Sequence, residues 1–180
     1  MGLVVSSIVK KIFTKSESRI LLVGLDNAGK TTLLYQMILG KMVTTIPSMH
    51  LSPPTINYKR HSFTIWDVPG HPRPRDLWFH YYENTDGVIF VVDSSDKERL
   101  EEAKEVLHSM VQDQRLNDTP LLVFSNKIDL PATLPVSEVE KCLNLHKIIG
   151  RKWTVEETSA LTGIGIRSGF KWLSDNIIDR

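Results

Sequence analysis

The sequence has little of several features that define other protein classes. Its 180 residues include one cysteine, Cys142, so the chain cannot form an internal disulfide, which fits a reducing compartment. We interpret this cysteine as an ordinary helix-packing residue. Basic and acidic side chains number 22 and 21, and the net charge of +1 argues against a general binder of nucleic acid. No apolar run approaches the roughly 18 residues needed to cross a bilayer.

The chain does contain one stretch around which the rest can be interpreted. It has the form G-x-x-x-x-G-K-T and lies between two apolar runs, so a buried strand is predicted to lead through a glycine-rich turn into a helix. A phosphate-binding loop requires this setting, because backbone N–H groups and a helix N-terminus bind phosphate oxygens. A plain strand-helix turn is the alternative, but the spacing and the Lys-Thr pair favour the phosphate loop. The predicted loop residues are Gly24, Leu25, Asp26, Asn27, Ala28, Gly29, Lys30, Thr31 and Thr32.

Two further motifs follow predicted strands. Asp67 and Gly70 form D-x-x-G, in which the carboxylate would hold Mg²⁺ through water and the glycine N–H can contact a γ-phosphate. The Thr31 hydroxyl of the phosphate loop would also be a ligand of Mg²⁺. Later, Asn126, Lys127 and Asp129 form N-K-x-D.

The N-K-x-D motif indicates which base is bound. Asp129 can accept hydrogen bonds from N1–H and the 2-amino group of guanine, and adenine offers neither in that arrangement. A polar loop with a helix cap is the alternative. Ser159 and Ala160 lie in a small-residue turn whose backbone is expected to lie against the base. The predicted ligands are therefore GTP or GDP, with Mg²⁺.

The N-terminus matches the N-myristoylation pattern at Gly2. In the segment that follows, apolar side chains gather on one helical face and two lysines lie on the other, as in helices at a membrane surface. We expect residues 1–17 to form an amphipathic membrane-binding helix and residues 18–180 to form a single nucleotide-binding domain. A helix packed against the domain is the alternative.

Strands and helices alternate along the remaining chain, which predicts an α/β fold with a mostly parallel, doubly wound sheet. The hairpin strand after Pro53 and Pro54 must start beyond them, because prolines cannot donate ladder hydrogen bonds. Helices are predicted over residues 30–39, ending at Gly40, and over 76–82, 97–113, 136–143 and 166–178. Strands are predicted over residues 18–24, 55–58, 63–66, 87–93, 121–124 and 153–158.

With these residues identified, the chain resembles the Arf and Arf-like branch of the small GTPases over essentially its whole length. The matching segments are G-L-D-N-A-G-K-T-T, T-T-I-P, W-D-V-x-G, V-V-D-S-S-D-K-E-R, N-K-x-D and A-L-T-G-x-G. The resemblance implies a Ras-like G domain with six strands and helices on both faces, GDP/GTP exchange with Mg²⁺, and a hairpin between two switch segments that slides in register. It also implies exchange factors, activating proteins and effectors as partners of a monomer in the cytoplasm and on the cytosolic face of Golgi or endosomal membranes.

The chain departs from that family in both switches. In the first, Ser48 keeps a hydroxyl able to ligate Mg²⁺ in the GTP state, but His50 replaces a glycine. In the second, Pro69 and His71 replace the glycine and glutamine of D-V-G-G-Q. Because the glutamine positions the attacking water, we expect slow hydrolysis, although imidazole can also donate and accept. The predicted catalytic residues are His71, Gly70 and Lys30.

Two other functions remain open. One is a scaffold that binds guanine nucleotide without cycling, because the hydrolytic positions are altered while the pocket is intact. The other is a small-molecule kinase with a phosphate loop, for which the sequence has no spare residues to form a lid and an acceptor pocket.

Overall fold

The computed structural model describes residues 16–42, 53–59 and 61–178. The strands are β1 (Ser16–Gly24), β2 (Thr55–Tyr58), β3 (His61–Asp67), β4 (Gly87–Asp93), β5 (Leu121–Asn126) and β6 (Trp153–Thr158). The α-helices are α1 (Lys30–Met37), α2 (Pro72–Arg75), α3 (Leu100–Val111), α4 (Val136–Cys142) and α5 (Ile166–Ile178). Short 3-10 turns lie at Trp78–Tyr81, Lys97–Arg99, Gln114–Leu116 and Leu145–Lys147.

The six strands form one sheet in the order β2-β3-β1-β4-β5-β6. All neighbouring strands are parallel except β2 and β3, which form an antiparallel hairpin. β2 begins at Thr55, directly after Pro54, whose carbonyl accepts a hydrogen bond from Ile65 N at 2.9 Å. The predicted fold class, a mostly parallel six-stranded sheet with helices, is confirmed, and the strand that carries the glycine-rich turn lies in its interior.

Alternation along the buried strands gives the sheet two apolar faces. In β1, Ile20 and Leu22 belong to the core beneath α1 and α5, whereas Leu21 and Val23 belong to the core beneath α3 and α4. The predicted inward face of α5 is confirmed, because all four of its predicted positions are buried. These are Ile166, Phe170, Leu173 and Ile177.

Two predicted helix boundaries were wrong. α1 ends at Met37 and continues as a π-helical turn, Ile38–Met42, straight through Gly40. A glycine ends a helix by adopting a left-handed conformation, and Gly40 does not have the positive φ that this requires.

The helix expected over residues 76–82 is instead only the 3-10 turn Trp78–Tyr81, and the α-helix of this region, α2, lies before it at Pro72–Arg75. The reason is a tertiary contact: the buried Trp78 donates its indole N–H to Pro69 O at 2.9 Å, and so folds the segment back on itself. Apolar spacing over so few residues does not distinguish a 3-10 turn from an α-helix.

Three smaller differences concern single elements. β5 extends to Asn126, so this residue ends a strand instead of following it. The last predicted helix before β6 is confirmed at Val136–Cys142, but Cys142 is exposed, so its interpretation as a packing residue was wrong. The first turn of the helix expected over residues 97–113 is 3-10, and the α-helix begins at Leu100.

Residues 1–15 of the predicted N-terminal helix lie outside the described residues, as does the first-switch segment that contains Ser48 and His50. The predicted boundary after residue 17 was wrong, because Ser16 and Glu17 are the first residues of β1. Across the part of the chain that the structure does describe, none of the helices combines the length and the hydrophobicity that crossing a bilayer takes.

Candidate functional site

The polar residues singled out in the sequence meet at one edge of the sheet. β1, β3, β4 and β5 all run parallel and end at Gly24, Asp67, Asp93 and Asn126. Because parallel strands bring their carboxyl ends to the same edge, residues far apart in the chain become neighbours there. This edge is where open α/β sheets bind ligands.

Two glycines fix the path of the turn between β1 and α1. Gly24 has φ +143°, and a Cβ there would lie 2.2 Å from Val91 O of the neighbouring strand. Gly29 has φ +95° and precedes α1, and a Cβ there would lie 2.4 Å from the Asn126 side chain. Neither position can therefore hold a side chain without displacing backbone or a buried amide.

Lys30, the first residue of α1, points back into the turn. Its Nζ donates to Gly24 O at 3.0 Å and to Leu25 O at 2.7 Å, and the side chain is 7% exposed. Burial lowers the pKa of Lys30, while Asp67 and Asp26 oppose that shift. A cation held in this way is preorganised to bind an anion that enters the turn.

Thr31 and Asp67 form a pair of oxygen ligands beside the lysine. The Thr31 hydroxyl donates to Asp67 Oδ2 at 2.8 Å. Burial raises the pKa of Asp67, and the Thr31 hydrogen bond and Lys30 only partly offset this effect. A hard divalent cation suits such a site, because it prefers oxygen ligands and would stabilise a carboxylate that burial disfavours. The residues therefore fit the predicted Mg²⁺, and the third predicted ligand, Ser48, lies outside the described residues.

Asn126 links the two loops that would enclose a nucleotide. Its Nδ2 donates to Ala28 O in the glycine-rich turn at 2.8 Å, and its Oδ1 accepts from Ala160 N at 2.9 Å. The side chain is 1% exposed. The amide thus uses both of its polar ends to hold the phosphate side of the edge to the base side.

The next two residues of N-K-x-D are held by different partners. Lys127 has a positive φ of +70°, and its Nζ lies 2.6 Å from Asp93 Oδ2 at the end of β4. Although burial opposes ionisation of Asp93, the Lys127 ion pair and hydrogen bonds from Ser95 hold its pKa below the usual value. Lys127 is therefore fixed as part of the wall of the site.

Asp129 is exposed, and one of its oxygens is already held. The buried Ser159 hydroxyl donates to Asp129 Oδ1 at 2.5 Å, and Thr162 N donates to Ser159 Oγ at 3.1 Å. This chain of hydrogen bonds orients the carboxylate before any ligand enters. A base edge that presents two N–H donors in a row matches what the oriented carboxylate can accept.

The second switch lies directly on the glycine-rich turn. Asp26 N donates to Gly70 O at 3.2 Å, and a Cβ on Gly70 would lie 2.2 Å from Gly24 O. Pro69 and His71, on either side of Gly70, are exposed. The predicted γ-phosphate sensor is thus close to the turn, and the residue predicted to position water follows it immediately.

The structure brings together every predicted phosphate, metal and base residue that lies within the described ranges, but the sequence interpretation missed three neighbours. Asp93 could have been found, because it ends a buried strand at the same edge as Asp67 and Asn126. Arg75 and Arg99, which both approach Asp26, carried no comparable signal in the sequence.

The arrangement could bind a purine nucleotide by its phosphates at one end and by its base at the other, and Thr31 and Asp67 could hold a divalent cation. Consistent with this geometry, residues 5–177 match the model of the ADP-ribosylation factor family.

Proposed function

Since the chain belongs to the ADP-ribosylation factor family and is a small GTP-binding protein of that type, we propose that it acts as a membrane-attached GDP/GTP switch that recruits effectors in membrane trafficking. The observation that carries the proposal is the continuous set of contacts from the glycine-rich turn through Asn126 to Ala160. These contacts hold a phosphate site and a base site in one rigid frame.

In this proposal the phosphates bind the backbone N–H groups of residues 24–32 and the buried Lys30 ammonium. Thr31 and Asp67 hold Mg²⁺, which when bound neutralises charge on the phosphate oxygens. Burial disfavours the charged forms of Lys30 and Asp67. A phosphate beside Lys30 and a cation beside Asp67 would each stabilise the charged form. The charges of Lys30 and Asp67 therefore suit a metal-nucleotide complex.

Guanine is selected by Asp129, which Ser159 holds in place at 2.5 Å. Adenine has an acceptor at N1 and no amino group at C2, so it would donate no hydrogen bond to the Asp129 carboxylate. A charged carboxylate left without a donor lowers the affinity for adenine nucleotides. Lys127, fixed by Asp93, forms the adjacent wall. We infer strong preference for GTP and GDP over ATP.

Hydrolysis is proposed to be slow because of the residues on either side of Gly70. Pro69 has no backbone N–H, and its carbonyl is engaged by the Trp78 indole at 2.9 Å. His71 carries an imidazole where an amide would both donate to and accept from the attacking water. Water positioning, rather than proton removal, limits this kind of reaction, so a poorly placed group at this position lowers its rate.

Attachment to a membrane is proposed through acylation at Gly2 together with the amphipathic segment that precedes β1. One acyl chain alone binds bilayers only marginally, so the two features together supply the two signals that stable anchoring needs. The G domain, which begins with β1, is expected to be monomeric, and the cytosolic faces of Golgi or endosomal membranes are its proposed locations. Exchange factors, activating proteins and effectors are its proposed partners.

The altered residues Pro69 and His71 favour one alternative, a scaffold that binds guanine nucleotide but cycles poorly. Single-turnover GTP hydrolysis and GDP release by the purified protein separate the two functions. A switch exchanges nucleotide and hydrolyses GTP slowly, and the double variant Pro69→Gly, His71→Gln should then raise the rate by about tenfold or more. Equal rates would contradict the role given to these residues, and a wild type that neither exchanges nor hydrolyses would favour the scaffold.

A further inference from the structure

We propose that Arg75 is a positioning residue for the GTP-bound state. Its guanidinium group fixes the Gly70–His71 peptide against the glycine-rich turn, and this makes the pocket favour GTP over GDP. The inference rests on the proposed function, because it concerns how the same site distinguishes its two nucleotides.

The first step is the close approach of Gly70 to the turn. Its position allows no Cβ, since such an atom would lie 2.2 Å from Gly24 O and 2.6 Å from Asp26 N. The Gly70 carbonyl accepts from Asp26 N at 3.2 Å. Backbone thus packs on backbone here, and the contact is made by protein atoms alone.

The second step is the position of Arg75 behind this contact. Its Nε donates to Gly70 O at 2.6 Å, its Nη1 donates to Glu102 Oε1 at 2.7 Å, and its Nη2 lies 3.5 Å from Asp26 Oδ1. The side chain is 12% exposed. One planar group therefore joins the second switch, the helix α3 and the glycine-rich turn.

The third step concerns the other ligands of Asp26. Arg99 donates to Asp26 Oδ1 at 3.2 Å and to Asp26 O at 3.0 Å, and a separate ion pair with Asp96 holds Arg99 itself. Asp26 is thus anchored from the far side of the turn, which gives Arg75 a fixed partner. The result is a connected network in which the charges of Asp26 and Glu102 are paired with arginines.

The functional consequence follows from peptide geometry. In a trans peptide the C=O and N–H groups point in opposite directions, so fixing Gly70 O also fixes the direction of the His71 N–H and the start of the His71 side chain. The Gly70 N–H belongs to the preceding peptide, between Pro69 and Gly70, and is the predicted contact of the γ-phosphate. GDP has no γ-phosphate, so it lacks the group that this N–H would contact.

A group that stabilises the docked second switch therefore adds affinity only for the ligand that needs the docked state. Lysine cannot replace Arg75 in this role, because a single ammonium does not present the planar fork that reaches three partners in fixed directions. Arg73, which is exposed and lies two residues before Arg75 in α2, provides a control of the same charge.

The experiment measures the affinity of the full-length protein for GDP and for a non-hydrolysable GTP analogue, both with Mg²⁺. Arg75→Ala and Arg75→Lys should each lower the affinity for the GTP analogue about tenfold more than the affinity for GDP, which corresponds to about 1.4 kcal/mol. Glu102→Gln, which removes one anchor of Arg75, should shift the ratio in the same direction by a smaller factor. Arg73→Ala should leave the ratio unchanged.

An unchanged ratio in the Arg75 variants would overturn the proposal. So would an equal loss for both nucleotides with a lowered melting temperature, which is the result of a merely structural role. Should Arg75→Ala fail to fold, the ratio in Glu102→Gln decides in the same way. If wild type binds neither nucleotide, the proposed function itself is refuted. If wild type binds both and the Arg75 variants have the same ratio of affinities for the GTP analogue and GDP, only the role of Arg75 is refuted.

Discussion

In the proposed function, a single residue, Asp129, selects the base. Asp129 is exposed, yet the buried Ser159 hydroxyl holds one of its oxygens in a fixed position. A carboxylate accepts hydrogen bonds, and the bond from Ser159 favours one orientation of this one. A change in the hydrogen-bonding character of this one group should change which base is bound.

Asp129→Asn should lower the affinity for GDP by about a hundredfold or more, because an amide N–H would face the 2-amino group of guanine and the charge-assisted bonds would be lost. The same variant should gain affinity for xanthosine diphosphate, since xanthine has an acceptor where guanine has that amino group. Titration with the two nucleotides measures both effects. Asp118→Asn, an exposed carboxylate elsewhere, is the control, and equal losses for both bases would contradict the assigned role.

The residues of the pocket differ in how far the sequence could predict them. The phosphate and base motifs could be placed because each follows a strand whose end must reach the same sheet edge, and the rule would have found Asp93 as well. Arg75 and Arg99 could not be placed, because their partner Asp26 is brought to them by the packing of α3 and the second switch. Pairing of this kind depends on tertiary structure and leaves no local pattern.

At the scale of elements, the β1–β3 pair contains an unusual buried group at the end opposite the pocket. His61 opens β3, is 8% exposed, stacks on Phe63 with ring centroids 4.8 Å apart, and has Nε2 2.8 Å from Ser18 Oγ in β1. Burial lowers the pKa of His61, and the Asp86 carboxylate only partly opposes this shift. The folded protein therefore disfavours the charged imidazole.

This burial makes stability depend on pH in a defined direction. Because the folded pKa of His61 lies below the unfolded value of 6.5, its contribution is present above that pH and is lost as pH falls through the folded pKa. His61→Gln keeps a hydrogen-bonding group for Ser18 and should flatten the fall in unfolding free energy between about pH 7.5 and 5.5. Urea unfolding over that range is the measurement. His146→Gln, at an exposed position, should keep the wild-type slope, and an unchanged slope in His61→Gln would refute the argument.

The helix α5 packs on the sheet through a glycine. A Cβ on Gly169 would lie 2.5 Å from Phe124 Cε1 and 3.2 Å from Leu122 Cδ1, and both of these side chains are fully buried. The intrinsic preference of a helix for alanine over glycine is about 1 kcal/mol, whereas overpacking a core costs about 1–3 kcal/mol. The steric term should therefore decide the sign.

Gly169→Ala should accordingly reduce the unfolding free energy by about 1 kcal/mol, measured by chemical denaturation. Arg167→Ala, at an exposed position of the same helix, should stay within about 0.5 kcal/mol of wild type. A stabilised Gly169→Ala would mean that the sheet yields to the added methyl group, contrary to the close packing described here.

Element boundaries were the part of the fold that local sequence predicted least well. The long elements α3, α5 and β4 have enough periodic positions to be unambiguous, and their existence and type were correct. The helix predicted over residues 76–82 was wrong because the hydrogen bond from Trp78 to Pro69 O decides the path of this segment. The predicted end of α1 at Gly40 was wrong because a glycine ends a helix in this way only where its φ is positive, and the φ of Gly40 is not.

At the scale of the whole molecule, the sheet turns a linear sequence into one pocket. The order β2-β3-β1-β4-β5-β6 places the glycine-rich turn between the strand that ends in Asp67 and the strand that ends in Asp93. Two apolar cores, one on each face, fix the strands that carry these residues. The strands that carry the base of the pocket are thus held by packing on both sides of the sheet.

The most direct test of this account is the nucleotide carried by the full-length protein, determined by chromatography after denaturation, for wild type and for Lys30→Ala. We expect guanine nucleotide in roughly equimolar amount with wild type, no adenine nucleotide, and little of either with Lys30→Ala, which removes the buried cation from the phosphate turn. Wild type that carries no guanine nucleotide, or Lys30→Ala that carries as much as wild type, would contradict the assignment of this edge of the sheet as the guanine nucleotide site.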